Sequence, residues 1–261
     1  MANSFQQRLS QECQWFLLAV QFFTRIPVGL LLPFKPSDLN RTSRYISIVG
    51  LIVATIAGLA YGMGYLLYGP WLAALLALAS AVLATGAFHE DGLADAADGF
   101  GGGLTRAQIL LIMKDSRIGT YGTVATFLSL TAKVVLLAQL SLPQGILAIA
   151  LQHMLSRTLA VSLMLKLPYV QEDASSKVKP VAKQLLTQDI VLAGCIALLP
   201  CLLLTLTEAI VLLSSLLILR WLAIVYLSKR LGGYTGDCLG AVQQLMELMV
   251  LFVVVAFWTS L

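Results

Sequence analysis

The chain has 261 residues, of which 59% are hydrophobic and only 11% carry a charged side chain, with a net charge of +4. Soluble domains are about half apolar and about a quarter charged, so this composition excludes an ordinary soluble protein. The apolar runs do not alternate with polar residues, which excludes a membrane β-barrel. The predicted fold class is an all-α polytopic membrane protein that forms one integral membrane domain over residues 1–261.

The first apolar segment, residues 14–32, is interrupted by Arg25 and Pro27 and flanked by basic residues. This pattern favours an interfacial helix on the membrane surface, with a re-entrant segment as the alternative. No small-residue cleavage pattern follows the polar N-terminus, so no cleavable signal peptide is expected. The four cysteines lack paired spacing and predict neither a disulfide framework nor a zinc site.

Seven later apolar stretches are each close to the length that crosses a bilayer as a helix. They are residues 45–67, 71–88, 120–140, 145–165, 190–206, 209–227 and 241–260. Outside these spans, lysine and arginine are confined to the N-terminal part and to three connections, residues 89–119, 166–189 and 228–240. The positive-inside rule places these three loops and the N-terminus in the cytoplasm and the C-terminus outside.

Three basic residues, Lys133, Arg157 and Arg220, fall inside predicted spans. A charge in hydrocarbon costs at least a few kcal/mol unless it is paired or hydrated. Two alternatives are open: the side chains snorkel to the interface, or they meet a phosphate or carboxylate in a cavity. The chain shows no internal repeat, so it lacks the inverted-repeat signature of many transporters.

The run FHEDGLADAADGFGGG, residues 88–103, gathers acid at the end of the second predicted span. Asp91, Asp95 and Asp98 are spaced four and three residues apart, which places them on one face of a helix, where like charges repel. A cation is therefore expected there, and these aspartates with Glu90 suit Mg²⁺, which combines a few carboxylates with substrate phosphates. The spacing excludes an EF-hand. His89 is a candidate ligand or base, or a structural hydrogen bonder.

Two further polar segments fall on the same predicted side of the membrane. MKDSRIGTYG, residues 113–122, offers Lys114 and Arg117 beside Asp115, and KRLGGYTGDCLGA, residues 229–241, offers Asp237 among glycines. Arginine and lysine bind phosphates, and glycines let the backbone approach an anion closely. Each segment alone is typical of a solvated loop or a turn, but together they predict phosphoryl chemistry on a diphosphate substrate.

The segments HEDGLADAADG, MKDSRIGTYG and GGYTGDCLGA, together with FFTRIP at residues 22–27, resemble the cobalamin synthase (adenosylcobinamide-GDP ribazoletransferase) family. The matching segments run in order from about residue 22 to residue 247. The resemblance implies that the 3′-hydroxyl of α-ribazole, or of its 5′-phosphate, attacks the cobinamide-side phosphorus of adenosylcobinamide-GDP, and that GMP leaves. It also implies Mg²⁺ dependence and a place in the cytoplasmic (inner) membrane of a prokaryote.

Roles for individual residues follow as a hypothesis. Four carboxylates would hold the metal, four side chains would contact substrate beside Arg25, and one group would accept the hydroxyl proton. The metal set is Glu90, Asp91, Asp95 and Asp98; the substrate set is Arg25, Lys114, Asp115, Arg117 and Asp237; and the candidate bases are His89 and Asp98. A homo-oligomer and contacts with other corrinoid-assembly enzymes are compatible with this picture, and no nucleic-acid partner is expected.

Two alternative functions stay open from the sequence. Asp95, Asp98 and Gly99 match the beginning of the D-x-x-D-G motif of the CDP-alcohol phosphotransferases of phospholipid synthesis, but the rest of that motif is missing. A cation-coupled transporter is the second alternative. Transport sites usually lie near the bilayer midplane, whereas this acidic run lies at the edge of a predicted span.

Overall fold

A computed structural model describes residues 2–28, 38–171 and 185–259, and the regular elements of this part of the chain are all helical. The α-helices are α1 (Ala2–Phe23), α2 (Ile46–Tyr68), α3 (Pro70–Thr85), α4 (Phe88–Gly102), α5 (Arg106–Met113), α6 (Thr120–Leu137), α7 (Leu142–Val161), α8 (Thr187–Ala197), α9 (Leu206–Leu231) and α10 (Gly236–Trp258). Short 3₁₀ segments occur at Asp38–Tyr45, Ser162–Leu165 and Leu199–Leu203. The all-α polytopic fold class is confirmed.

The number of spans differs from the seven expected. Within the described ranges, five stretches are long and apolar enough to cross a membrane: Asp38–Tyr68, Thr120–Leu137, Leu142–Leu165, Leu206–Leu231 and Gly236–Trp258. A sixth exists if α3 and α4, which are bent by 88°, count as one broken span. The predicted fifth span is instead the 11-residue α8 followed by a 3₁₀ segment, which is too short to pass the same test.

The predicted loops are also more helical than expected. Residues 89–119 contain α4 and α5, because the acidic run alternates with small and apolar residues that bury one helical face. The connection predicted at 228–240 shrinks to residues 232–235 between α9 and α10. Residues 29–32 of the N-terminal segment, residues 172–184 of the connection predicted at 166–189 and residue 260 of the last predicted span lie outside the described residues.

The N-terminal helix α1 ends at Phe23 rather than continuing toward residue 32. It packs against the 3₁₀ segment Asp38–Tyr45, where Trp15 Nε1 donates to Asp38 Oδ1 at 3.2 Å. Arg44 is paired with Glu12 of α1 and, at 2.7 Å, with the buried Asp189 of α8. These contacts tie α1 and α8 together; the interfacial position of α1 stays a prediction.

Four packed helix pairs form the centre of the bundle: α2 packs against α3 and against α7, and α10 packs against α4 and against α7. Small residues permit the close approach: an added Cβ at Gly50 would overlap the backbone of His153, and one at Gly64 would lie 2.8 Å from the Ala73 Cα. By contrast, α9 exposes large apolar side chains such as Ile218 and Trp221. An apolar surface of this kind is compatible with lipid contact.

Candidate active site

The sharp turn between α3 and α4 fixes where the acidic helix begins. Gly86 and Ala87 both adopt left-handed backbone conformations, with φ of 69° and 59°. A left-handed non-glycine residue costs roughly 1–2 kcal/mol, so the surrounding contacts must hold this turn. Arg25 provides one such contact, because its backbone N–H donates to Ala84 O at 2.7 Å and its side chain lies against Gly86. Arg25 is therefore placed at the bend, at the start of α4.

The three aspartates of α4 share one helical face, as their spacing predicts. At 100° per residue, Asp95 and Asp98 lie within about 40° of Asp91 around the helix axis. Asp91 is exposed, Asp95 is partly buried and Asp98 is 9% exposed. His89 lies about 180° away from Asp98 on the same helix. The structure thus separates His89 from the face that carries the aspartates.

Asp237, at the start of α10, joins the aspartates of α4. Gly92 packs directly on the Asp237 backbone, and a Cβ added at Gly92 would lie 3.1 Å from the Asp237 carbonyl oxygen. Asp95 is consequently within electrostatic range of Asp91, Asp237 and Asp98. We call Asp91, Asp95 and Asp237 the aspartate site. Its members come from two of the three polar segments that the sequence singled out.

Asp98 has a different environment from the other aspartates. Its Oδ2 accepts a hydrogen bond from Gly119 N at 2.6 Å, and its Oδ1 accepts one from Gly122 N at 2.9 Å. Those amides belong to the N-terminus of α6, which otherwise lacks partners for its first N–H groups. A Cβ at either glycine would overlap the Asp98 carboxylate. Asp98 therefore caps α6 and links it to α4.

Glu90 points away from the aspartate site, toward a buried polar cluster. Its Oε1 accepts from Gln244 Nε2 at 3.0 Å, whereas its Oε2 is buried with no hydrogen-bond partner in the described structure. Glu90 lines a very small cavity together with Lys133, Arg157 and Glu247. The structure therefore places Glu90 among buried charges rather than beside Asp91.

The basic segment after α5 lies at the surface. Arg117 is 87% exposed and pairs with Asp115 at 2.7 Å. This guanidinium lowers the pKa of Asp115 to about 2, and the carboxylate in turn raises the pKa of Arg117. Lys114 is also exposed. These side chains belong to the predicted phosphate-binding set, but in this arrangement Arg117 is paired with a carboxylate of its own segment.

The glycines after Asp98 serve helix packing. A Cβ at Gly99 would lie 2.6 Å from the Met113 side chain, one at Gly101 would lie 2.6 Å from the Tyr121 ring, and one at Gly103 would lie 2.7 Å from Ile109 N. These positions bring α5 and the start of α6 close to α4. Helix packing therefore accounts for three of the four glycines in this run.

Lys133 and Arg157, two of the three basic residues in predicted spans, are paired inside the protein. Lys133 Nζ lies 2.5 Å from Glu247 Oε2 and donates to Gln244 Oε1 at 2.6 Å. Arg157 Nη1 donates to Glu247 Oε1 at 3.1 Å, and His153 Nδ1 lies 2.8 Å from the same oxygen. We call Lys133, His153, Arg157 and Glu247 the buried charge cluster. Its four side chains are all nearly inaccessible to solvent.

The carboxylate alternative is thus confirmed for these two cations, since Glu247 is their partner. Arg220 behaves differently: it is partly buried and donates to Ser162 Oγ at 2.6 Å and to Ser162 O at 3.0 Å. The sequence interpretation missed Glu247 and His153. A usable signal existed, because Glu247 is an acidic residue within the last apolar stretch, and a buried acid requires a cation on a neighbouring helix.

Mg²⁺ was expected at the acidic run, and the donor chemistry there fits it in part. Within residues 2–28, 38–171 and 185–259, no group of three or more His, Cys, Asp or Glu side chains is arranged so that it could by itself hold a metal ion. The same part of the chain supplies no ion pair for Asp91 or Asp95. Open carboxylates without a protein cation suit Mg²⁺, which keeps waters or substrate phosphates in its coordination shell.

Comparison with known proteins identifies relatives that match nearly the whole chain. A family model described as cobalamin-5-phosphate synthase matches residues 15–255. A Vibrio cholerae protein named adenosylcobinamide-GDP ribazoletransferase is 43% identical over 250 residues, which cover 95% of this chain and 96% of that protein. A Shewanella amazonensis protein of the same name is 44% identical over 255 residues, covering 96% and 98%. No solved structure matches the chain. The family model and both relatives cover nearly the full length, so the chain belongs to the cobalamin-5-phosphate synthase family.

Proposed function

We propose that this protein is an adenosylcobinamide-GDP ribazoletransferase. It transfers the adenosylcobinamide-phosphate group to α-ribazole or its 5′-phosphate and releases GMP. Family membership supports the reaction. The location of the reaction is supported by the aspartate site, whose three carboxylates lie together and for which the described chain provides no cation. A diphosphate substrate with its divalent counter-ion supplies what these carboxylates lack.

The bonds that form and break in this reaction determine what the residues of the site must do. The acceptor oxygen bonds to the cobinamide-side phosphorus, the bond from that phosphorus to the GMP oxygen breaks, and the hydroxyl proton must be accepted. Asp91, Asp95 and Asp237 would hold Mg²⁺, which when bound neutralises charge on the diphosphate. Arg25 at the bend and the exposed Lys114 and Arg117 supply cations for phosphate oxygens. Glu90 faces the buried charge cluster and would therefore lie away from the metal rather than bind it.

The proton acceptor stays a prediction. Of the two candidates, Asp98 lies on the aspartate face but both of its oxygens accept backbone N–H groups, and His89 lies on the opposite face of α4. A general base must come within about 3 Å of the proton that it takes. Among the α4 carboxylates, Asp91 and Asp95 meet the requirement of an unoccupied oxygen better than Asp98 does.

The protein is a multi-pass membrane protein by its helices, and we further propose that α4, α5 and the 232–235 connection face the cytoplasm of a prokaryotic inner membrane. The sequence supports this orientation through Arg106, Lys114 and Arg117 around α5 and through Lys229 and Arg230 at the end of α9. A homo-oligomer or an assembly with other corrinoid enzymes would be compatible with the large exposed apolar surface, which lipid alone can also cover.

The direct test uses purified protein in liposomes with adenosylcobinamide-GDP, α-ribazole and Mg²⁺. We expect GMP and the joined corrinoid to appear in equal amounts, and a chelator to stop both. CMP release from a CDP-activated lipid would instead support a CDP-alcohol phosphotransferase. Ion flux without GMP release would support a transporter. Family membership favours neither of these alternatives.

The metal assignment needs a readout that does not depend on turnover. Mn²⁺ binding, followed by electron paramagnetic resonance in place of Mg²⁺, should weaken in Asp91→Asn and Asp95→Asn. The matched control is Asp115→Asn, which removes an acid from the exposed segment after α5. Equal Mn²⁺ binding in all three variants and the parent would rule out a metal at the aspartate site.

A further inference from the structure

A second feature, at the N-terminal end of α4 where Phe88 and His89 lie, is a partly open cavity of ≈ 160 Å³. It lies where the end of α1, the start of α4, the end of α7 and the start of α10 meet. Its walls are mainly aromatic and apolar, including Phe22, Phe23, Phe88, Met164, Tyr169 and Tyr234. A dry cavity of about 150 Å³ is enough to hold a benzene ring. The space therefore suits a planar aromatic group whose substituent leaves through the open side.

The aromatic walls are arranged edge to face around this cavity. The rings of Phe22 and Phe88 are 5.9 Å apart at 81°, and those of Tyr169 and Tyr234 are 5.5 Å apart at 74°. A short backbone bridge holds the two tyrosines, since Val170 N donates to Tyr234 O at 3.0 Å and Tyr234 N to Pro168 O at 2.9 Å. Ligand pockets typically combine such apolar walls with a few polar groups that fix orientation.

Five polar side chains line the cavity besides the two tyrosines, and four of them have hydrogen-bond partners within the described residues. Thr42 Oγ1 donates to Leu39 O, and Ser43 Oγ donates to Asn40 O. Gln243 Nε2 donates to Glu247 and to Ser156, and its Oε1 accepts from Gln244. Arg157 Nη1 is bound to Glu247. His89 is only 6% exposed, and no hydrogen bond to its ring nitrogens occurs among the described residues. The imidazole of His89 is thus a nearly buried polar group that is left for a ligand. Arg157 Nε and the Tyr234 hydroxyl also have no hydrogen bond among the described residues.

We propose that this cavity binds the aromatic base of the acceptor nucleoside and that His89 hydrogen-bonds to a ring nitrogen of that base. The assignment rests on the proposed function, because the acceptor there is ribazole. Ribazole carries a benzimidazole, a planar bicyclic base with one unsubstituted ring nitrogen that accepts a hydrogen bond. The imidazole donor of His89, among mainly apolar walls, matches the one acceptor of an otherwise apolar base. His89 then contacts substrate and sets base specificity.

The guanine of the donor substrate fits the same cavity less well. Guanine presents several donors and acceptors along its edge, and each would lose its hydrogen bonds to water on entering apolar walls. Since Gln243, Thr42 and Ser43 are already engaged, the described cavity replaces few of those bonds. A lipid chain would fill the apolar space but would leave His89 without a partner, so the acceptor base is the better match.

The position of the cavity also fits the reaction. Gly236 and Gly240 in the first turns of α10 line it, and Asp237 between them belongs to the aspartate site. Gly240 packs on the backbone of His89, at 3.3 Å from its carbonyl oxygen to an added Cβ. A nucleoside whose base enters the cavity therefore carries its ribose past this turn toward the aspartates.

The first test fills the cavity. Met164→Trp should raise KM for α-ribazole by about tenfold or more, because pocket volume discriminates on this scale, while KM for adenosylcobinamide-GDP stays constant. Met164→Ala should relax the preference and accept a base with an extra ring substituent. The matched control is Met63→Trp, on an exposed α2 position outside the cavity, which should change neither constant.

The second test measures the hydrogen bond by pairing a protein change with a substrate change. The indole analogue of ribazole replaces the ring nitrogen with CH, and His89→Phe removes the imidazole while keeping a ring. In the parent protein the indole analogue should react with kcat/KM about three- to tenfold lower than ribazole. In His89→Phe the two acceptors should react equally, as expected when the two changes remove one interaction. His89→Gln, which keeps a donor, should restore part of the difference.

Several outcomes overturn the proposal while leaving the reaction intact. A Met164→Trp variant that raises KM for the GDP-activated donor alone would assign the cavity to guanine. A Met164→Trp variant in which neither KM changes but co-purified lipid is lost would assign the cavity to lipid. An equal loss with the indole analogue in the parent and in His89→Phe would remove His89 from base recognition. Absence of GMP release by the parent protein would instead overturn the proposed function itself.

Discussion

Two groups of charged residues in this protein differ in whether the chain itself neutralises their charge. In the buried charge cluster, Lys133, Arg157 and His153 converge on the single carboxylate of Glu247. At the aspartate site, like charges are brought together and the described chain provides them with no ion pair. Charge that only supports the fold is neutralised within the chain, because an unpaired ion inside apolar surroundings is too costly. Charge left unpaired at the edge of the bundle is available for a ligand.

The first prediction concerns the buried charge cluster, from which the shared carboxylate is removed. Glu247→Ala leaves Lys133 and Arg157 inaccessible to solvent without their counter-ion. Removal of one partner from a buried ion pair costs about 3–5 kcal/mol, so unfolding in detergent should occur at clearly lower temperature or denaturant concentration. Glu247→Gln, which keeps the shape and part of the hydrogen bonding, should lose less. Unfolding of Glu247→Ala at the parent midpoint would show that the cluster does not support the fold.

The second prediction concerns the aspartate site, whose carboxylates have no ion pair in the described chain. Asp95→Asn should lower kcat by about 10²–10³-fold, the usual cost of removing one electrostatic group from a catalytic site. Its stability should be unchanged or higher, because the repulsion from Asp91 and Asp237 is relieved. Measurement of turnover and of the unfolding midpoint on the same preparation checks both parts. A drop in stability comparable to that of Glu247→Ala would mean that Asp95 is a structural residue.

The third prediction sharpens the comparison at Asp98, which lies on the aspartate face but has backbone partners. Asp98→Ala removes the acceptor for two amides at the start of α6 and should destabilise by about 0.5–2 kcal/mol, as for other helix caps. Asp98→Asn keeps an acceptor oxygen for one of the two amides, so it should recover part of that stability and retain the activity. An Asp98→Asn variant that is stable but inactive would instead make Asp98 a metal ligand or base.

The smallest effect is expected at Asp115. Its pKa is held at about 2 by Arg117, a shift that favours folding above the ordinary carboxyl pKa and is lost as pH falls toward 2. Between pH 6 and 9 the stability should therefore be flat with respect to this group. Because this ion pair lies at the surface, with Arg117 87% and Asp115 40% exposed, Asp115→Asn should not move the unfolding midpoint measurably. A clear change in that pH range would show that the segment contacts another part of the protein.

The sequence alone determined the class of the protein and the chemistry of one helical face. Composition required a helical membrane protein, since hydrocarbon demands internal backbone hydrogen bonds. The spacing of Asp91, Asp95 and Asp98 required a shared face as soon as that segment became helical. The order of four motifs indicated the family that the full-length comparison confirmed.

Only the tertiary structure decided which of those charges remain unpaired. Local spacing cannot show that Asp98 meets the start of α6, that Asp237 reaches Asp95, or that Glu247 lies between Lys133 and Arg157. Such pairings join residues between 21 and 142 positions apart in the chain (Asp98 to Gly119 and Asp95 to Asp237). They depend on which helix faces pack together, through glycines such as Gly92. For the same reason, the sequence identified His89 as a functional residue, but only the fold placed it in an aromatic cavity rather than among the aspartates.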